Sequence, residues 1–292
     1  MRRYRGRTFT EEELLMIRKL IADDPLLHRT QISRLVCEKL NWRKRNGGLK
    51  DMCCRVALLR MHEDEVIKLP APKMKARCGK TIIKFTQRTV AQPYISCPVH
   101  EFVNIHLVNV ACPKDSSLWN EYIERYHYLG HKSLPGDQLR YFVYAGNSIV
   151  ALLGFSAAAW KTAPRDKFIE WSLKQRQENL HLIVNNARFL ILPWINSQNL
   201  ASKILGMAAT QLPHDWKQKY NYKPVLLETF VEIPRFSGHC YKAANWIKVG
   251  RTQGRGRSDR FNEAKLAKKD IWLYPLHRSF RKILSKRTDI CI

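Results

Sequence analysis

Apolar residues recur with a helical period in the first quarter of the chain and mostly with a strand period after it. Leu14, Ile17 and Ile21 share one face of a segment that opens on Thr10 and Glu13, a pair suited to capping a helix start. Asp23-Asp24-Pro25 ends it. A second helix is predicted from about Thr30, with Ile32, Leu35, Val36 and Leu40 inward. A third follows Gly47-Gly48, with Leu49, Met52, Cys53, Val56 and Leu59 inward. Between them lies Trp42-Arg43-Lys44-Arg45-Asn46, a basic and flexible turn. Residues 66–69 read as a short strand, followed by a cationic extension to Lys75.

Beyond residue 99 the elements change. Strands are predicted over 102–110, 139–144 and 148–155, the last two joined by the hairpin signal Ala145-Gly146-Asn147. Helix 118–129 lies between the first and second, and a charged segment spans 160–179. Then come strand 189–192, a helix over 200–212 capped by Ser197 or Asn199, and a helical or turn continuation over 215–220. Strand 225–231, short helix 238–245 and strands 247–250 and 271–274 complete the series. The whole is an α+β chain. A winged-helix-like helical domain (1–75) and a basic linker (76–98) precede a mixed α/β layer domain (99–292) with a basic C-terminal extension.

Charge changes the picture. The net charge is +26, and it is segregated. Residues 1–92 hold 22 Lys+Arg against 10 Asp+Glu, residues 93–232 hold 14 against 11, and residues 233–292 hold 15 against 4. Two cationic ends around a nearly neutral middle are the footprint of a polyanion binder, with DNA, duplex or single-stranded, the expected partner. In a winged helix–turn–helix the third helix enters the major groove. That places Arg43, Lys44, Arg45, Asn46, Lys50 and Arg55 at DNA, with Lys73 and Lys75 as wing contacts to phosphate. Arg251, Arg255 and Arg257, in a glycine–arginine stretch without interleaved acids, are expected to contact phosphate as well. Trp160, Trp171, Trp194 and Trp246 are candidates for stacking on unpaired bases, against an ordinary core role.

No apolar run is long enough to span a membrane, and the basic start lacks an apolar signal core, so a cytoplasmic protein with reduced cysteines and no membrane partner is expected. Cys97 and His100 have ligand-like spacing but no second tight pair, so no metal site is expected.

Long stretches resemble a known family. They are Tyr126-His-Tyr-Leu-Gly130, Gly154-Phe-Ser-Ala-Ala-Ala-Trp160, Asn186-Ala-Arg-Phe-Leu-Ile-Leu-Pro-Trp194, Asn199-Leu-Ala-Ser-Lys-Ile-Leu205, Glu228-Thr-Phe-Val231 and Cys240-Tyr-Lys-Ala-Ala-Asn-Trp246. They are similar to the DruA family of the Druantia anti-phage system and its transposon-associated relatives. The resemblance implies a bacterial context, dealings with nucleic acid, and defence or transposase proteins as partners. The element order after residue 99, and the stretch 241–250, also resemble the GNAT acyltransferase fold. That likeness implies Glu228 as general base and Tyr241 as general acid. Against it, the turn 194–202, where such enzymes cradle the cofactor pyrophosphate on glycines, has no glycine, which disfavours acetyl-CoA.

The residues leave other chemistry open. Asp166, Glu170, Asp215, Glu228 and Glu232 are candidates to hold Mg²⁺ for a nuclease, and Tyr126, Tyr128 and Tyr241 for a covalent phosphotyrosine route. Arg188 is a candidate partner for Glu228. An active site requires Glu228, Tyr241 and Arg188 to converge in one cleft.

Overall fold

Thr10 and Glu13 cap the first helix as their spacing predicts. Each amide donates to the other's side-chain oxygen, at 3.2 Å in both cases. The computed structural model divides into two units, residues 1–81 and 82–292. The structure describes residues 1–44, 47–73, 82–255 and 263–286.

The first unit opens with a hairpin of β1 (Arg2–Tyr4) and β2 (Arg7–Phe9), then packs α1 (Glu11–Asp23), α2 (Arg29–Lys39) and α3 (Asp51–Glu63). The hairpin turns on Arg5 and Gly6, both at positive φ, and turns its two aromatic residues, Tyr4 and Phe9, into the core. Three expectations change here. The buried face of α3 is Cys54, Ala57, Leu58 and Met61, and the expected Leu49, Cys53 and Leu59 pack half-buried against that core, while Met52 is exposed. The basic turn before α3 is closed by backbone pairing: an Arg43–Leu49 bridge, and the Lys44 amide on the Gly48 carbonyl at 2.6 Å. Residues 66–69 form no strand. Val66, Ile67 and Leu69 are buried, but backbone oxygens here go to side chains instead of a neighbouring strand. Arg18 Nε donates to the Val66 carbonyl at 3.0 Å and Arg29 Nε to that of Pro70 at 2.7 Å.

The second unit comprises β3 (Ile95–Ser96), β4 (Ile105–Asn109), α4 (Pro113–Tyr126), β5 (Gln138–Ala145), β6 (Ser148–Ala157), α5 (Ala163–Ile169) and α6 (Leu173–Asn179). It continues with β7 (Ile183–Ile191), β8 (Ile195–Asn196), α7 (Leu200–Tyr220), β9 (Leu226–Glu232), α8 (His239–Ala243), β10 (Ile247–Arg251), β11 (Lys269–Pro275) and α9 (Phe280–Leu284). Seven strands form one sheet in the order β10-β11-β9-β7-β6-β5-β4. Every neighbouring pair is antiparallel except β7 and β9, which α7 joins by a crossover. Residues 82–98, expected as linker, belong to this unit. The buried Glu121 carboxylate accepts from the Thr86 amide and, at 2.6 Å, from the Thr89 hydroxyl, and Ile95 pairs with β8.

The expected C-terminal extension is part of the sheet. After Arg251 the chain leaves β10 and returns as β11, an interior strand. Gly254, at φ +77°, accepts from the Leu266 amide at 2.9 Å, and a Cβ there would meet the Leu266 carbonyl at 2.4 Å. Gly254 is thus a fixed closure and not an adaptable spacer.

The parallel pair positions the site. β7 and β9 are paired from Ile183↔Leu226 to Asn185↔Glu228, and beyond that each strand continues without the other. Beyond the pairing, side chains bind three carbonyls of β7. The Asn186 carbonyl accepts from Thr229 Oγ1 at 3.0 Å, that of Ala187 from Arg188 at 2.7 Å, and that of Arg188 from Asn186 Nδ2 at 3.1 Å. Buried carbonyls need such partners. Thr229→Val keeps the shape and removes one of them. It is expected to lower unfolding stability by ~1–3 kcal/mol, measured by urea denaturation.

Candidate functional site

Where β7 and β9 part, a cavity of about 890 Å³ opens, closed on other sides by the end of α4 and the start of α8. Arg125, Arg188, Arg235 and Lys269 line it, against one carboxylate, Glu232, which lies 3.4 Å from Lys269 Nζ.

Arg188 is the unusual member. Only 9% of it is exposed. One guanidinium nitrogen reaches the Ala187 carbonyl, Nε is buried without a hydrogen-bond partner, and no described carboxylate pairs with it. Burial draws its pKa below the ordinary arginine value. Asn185 Oδ1, a buried acceptor on the same wall, also lacks a partner. Tyr128 and Phe236 line another side, their ring centroids 5.1 Å apart, and the Arg235 guanidinium sits 4.7 Å from the Tyr128 ring centroid. His127 stacks on Tyr128, and its Nδ1 accepts from the Leu129 amide at 3.2 Å. Burial, with Arg188, Lys269 and Arg235 nearby, pulls the His127 pKa down to about 4.

The three residues expected to converge do not. Arg188 and Tyr241 line the cavity and Glu228 does not. Adjacent residues of a strand point to opposite faces, and Thr229, next to Glu228, is the one that lines it. Glu228 is fully buried elsewhere: its carboxylate accepts from Arg165 and from the Ala159 amide, each at 2.8 Å. Arg165, also fully buried, reaches Asp166 at 2.8 Å, and Asp166 takes Arg176 at 2.9 Å and the Trp171 indole at 3.1 Å. Two arginines and two carboxylates thus close a balanced network, and the partner of Glu228 is Arg165, not Arg188. Tyr241 is buried, donates to Asn186 Oδ1 at 2.8 Å, and burial raises its pKa. Among the other tyrosines, Tyr126 donates to the Thr89 carbonyl at 2.6 Å. Asp215 accepts from Tyr141 at 2.9 Å. Among the described residues no three His, Cys, Asp or Glu side chains group as metal ligands.

The expected nucleic-acid contacts fall in several places. Arg43, Lys44 and Lys73 are exposed, Lys50 is half-buried, and Arg55 lies 3.9 Å from Asp51. Arg251, expected to lack an acidic partner, binds Asp270 at 2.8 Å, and Lys248 shares that carboxylate. Arg255 is exposed. Arg45, Asn46, Lys75 and Arg257 lie outside the described residues. Trp171, Trp194 and Trp246 are core residues, while Trp160 is exposed.

A family model described as Druantia protein DruA matches residues 61–265. The chain belongs to the DruA family. Membership points to a role in anti-phage defence. The DruA match runs from the end of α3 past Gly254, so it contains every cavity residue named above except Lys269. No curated protein matches the chain. Among solved structures, an aminoglycoside acetyltransferase crystallised with coenzyme A is similar at 11% identity and a TM-score of 0.39, over 62% of this chain and 98% of that one. A GNAT-family acetyltransferase from Streptococcus pneumoniae is similar at 13% identity and 0.37, over 59% and 100%. An N-acetyltransferase from Staphylococcus aureus Mu50 is similar at 9% and 0.34, over 60% and 99%. Likeness at this level says nothing about ligand or reaction.

Sequence reasoning missed Asn185, Arg235, Lys269, His127 and the Arg165 partner of Glu228 as functional or structural participants. One signal was present: Asn185, Asn186 and Arg188 are polar residues inside an otherwise apolar strand.

Two measurements follow from these networks. Glu228→Gln leaves the buried Arg165 short of charge and is expected to cost ~3 kcal/mol in chemical denaturation. The depressed His127 pKa means that between pH ~6.5 and ~4 the unfolded chain binds a proton that the folded chain does not. Stability from this source therefore falls as pH drops through that window. In His127→Gln the loss of melting temperature between pH 7 and pH 4.5 should be smaller than in the wild type.

Proposed function

We propose that this chain is the DNA-engaging component of a Druantia-type anti-phage system, acting in the cytoplasm with other proteins of that system. The observation that carries the reading is the segregation of charge, 22 Lys+Arg against 10 Asp+Glu in residues 1–92 and 15 against 4 in residues 233–292. A chain that needed charge only for solubility would have no cause to divide it this way.

The grip is on phosphate. The first unit supplies three helices and the closed basic turn before α3, and DNA is held there in a helix–turn–helix manner by Arg43, Lys44, Arg45, Asn46, Lys50 and Arg55, with Lys73 and Lys75 beside them. In the second unit Arg255 and Arg257 add contacts. Arg251 contributes less, because Asp270 already takes its charge. Catalysis is not part of the proposal. Glu228 and Asp166 are committed to arginines, and the Tyr241 hydroxyl is committed to Asn186.

The test is DNA affinity against salt, on labelled duplex and single strands. Cations on phosphate displace counterions, so log K should fall linearly with log salt. Replacing Arg43, Lys44 and Lys50 together by Gln should flatten that slope by ~0.9 for each contact removed. Binding that ignores salt, or no binding at all, rejects the reading.

A further inference from the structure

We propose that the cavity between β7 and β9 binds a nucleoside phosphate, with Arg188 holding the phosphate. The inference rests on the cavity alone and goes beyond the DNA grip proposed for the cationic ends.

Arg188 carries the argument. It is nine-tenths buried, its Nε has no partner, and no described carboxylate balances it. A buried, unpaired cation is costly, and a fold that needed only packing at this position would be served by an apolar side chain. The Glu228 network shows the alternative within the same unit: there each buried arginine meets a carboxylate at 2.8 or 2.9 Å. What Arg188 lacks is therefore an anion, and the cavity beside it has room for one. Arg235, Arg125 and Lys269 add positive charge to the same walls, with Glu232 alone opposing them. A planar fork of donors suits phosphate better than a point charge does.

Two further features extend the ligand beyond phosphate. Asn185 Oδ1 is a buried acceptor without a donor, which an amino or imino N–H of a base would supply. Phe236, exposed beside Tyr128, offers a planar group an aromatic surface. The volume of about 890 Å³ lies within the ~300–1,000 Å³ usual for small-ligand sites. A bare anion would leave Asn185 and the aromatic wall unused, and an apolar ligand would leave Arg188 unpaired.

The nucleoside phosphate has two sources, a free nucleotide or the 5′-phosphorylated end of a strand. Calorimetry on the full chain with AMP, adenosine and inorganic phosphate tests the shared chemistry. AMP should bind at least ~10-fold more tightly than either fragment, since loss of a charge-assisted hydrogen bond is worth about that much. Arg188→Met should weaken AMP ~10-fold or more, and saturating AMP should raise the melting temperature of the wild type but not of this variant, an outcome that a purely structural arginine would not give. Arg235→Ala, at an exposed position, should weaken AMP without touching the core, and keeps the test open if the first variant misfolds. Competition for the AMP site by a single-stranded 12-mer, with and without its 5′ phosphate, then separates the sources. A phosphate-dependent strand competitor assigns the site to strand ends, and absence of strand competition assigns it to free nucleotide. No AMP binding at millimolar concentration, binding unchanged in both variants, or binding of coenzyme A without AMP overturns the proposal.

Discussion

A parallel pair of strands that stays bonded for three residues and then separates sets the rest of the second unit. Had β7 and β9 continued together past Asn185 and Glu228, their facing edges would have satisfied one another and left no cavity. Parting exposes backbone groups that a protein interior does not tolerate unbonded. On the β7 side Thr229 binds the Asn186 carbonyl, and Tyr241 in turn fixes the Asn186 side chain. The cavity is thus a consequence of how the sheet is built, and the side chains that keep it open are also those that shape its wall.

Just where the strands part, Glu228 turns the other way and meets Arg165. That pairing draws in Asp166, Arg176 and Trp171, and so ties β9 to α5 and α6. β9 and the neighbouring β7 therefore carry opposite solutions. On β9 charge is buried with its counter-charge, and each arginine of that network meets a carboxylate from within the chain. On β7 a guanidinium is buried without one. A stability argument accounts for the first arrangement and not for the second, and this contrast between adjoining strands directs attention to the cavity.

Much of the fold was legible in the sequence. The Thr10–Glu13 cap, the hairpin at Ala145-Gly146-Asn147 and the order of strands after residue 99 follow from periodicity and turn chemistry, and the structure has all three. What escaped has physical causes. The hairpin of β1 and β2 has three-residue strands that alternate too briefly to register. On α3 the fully buried residues lie one position along from the expected ones, and Met52 leaves the core. Helices α5 and α6 read as a charged surface because their buried side chains include Arg165, Arg176 and Asn179, which become core only through partners distant in sequence. For the site, Glu228, Tyr241 and Arg188 were all visible as polar residues among apolar ones. Their grouping was not, because one residue of register in β9 decides which face a side chain takes, and no local pattern records where two strands part.

The closure at Gly254 has a different kind of consequence. Because the Leu266 amide returns to Gly254, the glycine–arginine stretch is an insertion between two strands with its base clamped, not a free end. Lengthening such an insertion changes the entropy of closing it only slowly. Relatives could therefore exchange this segment, with its count of cations, while retaining the cavity and the buried ion network unchanged. One backbone hydrogen bond thus separates the cationic segment from the sheet that carries it.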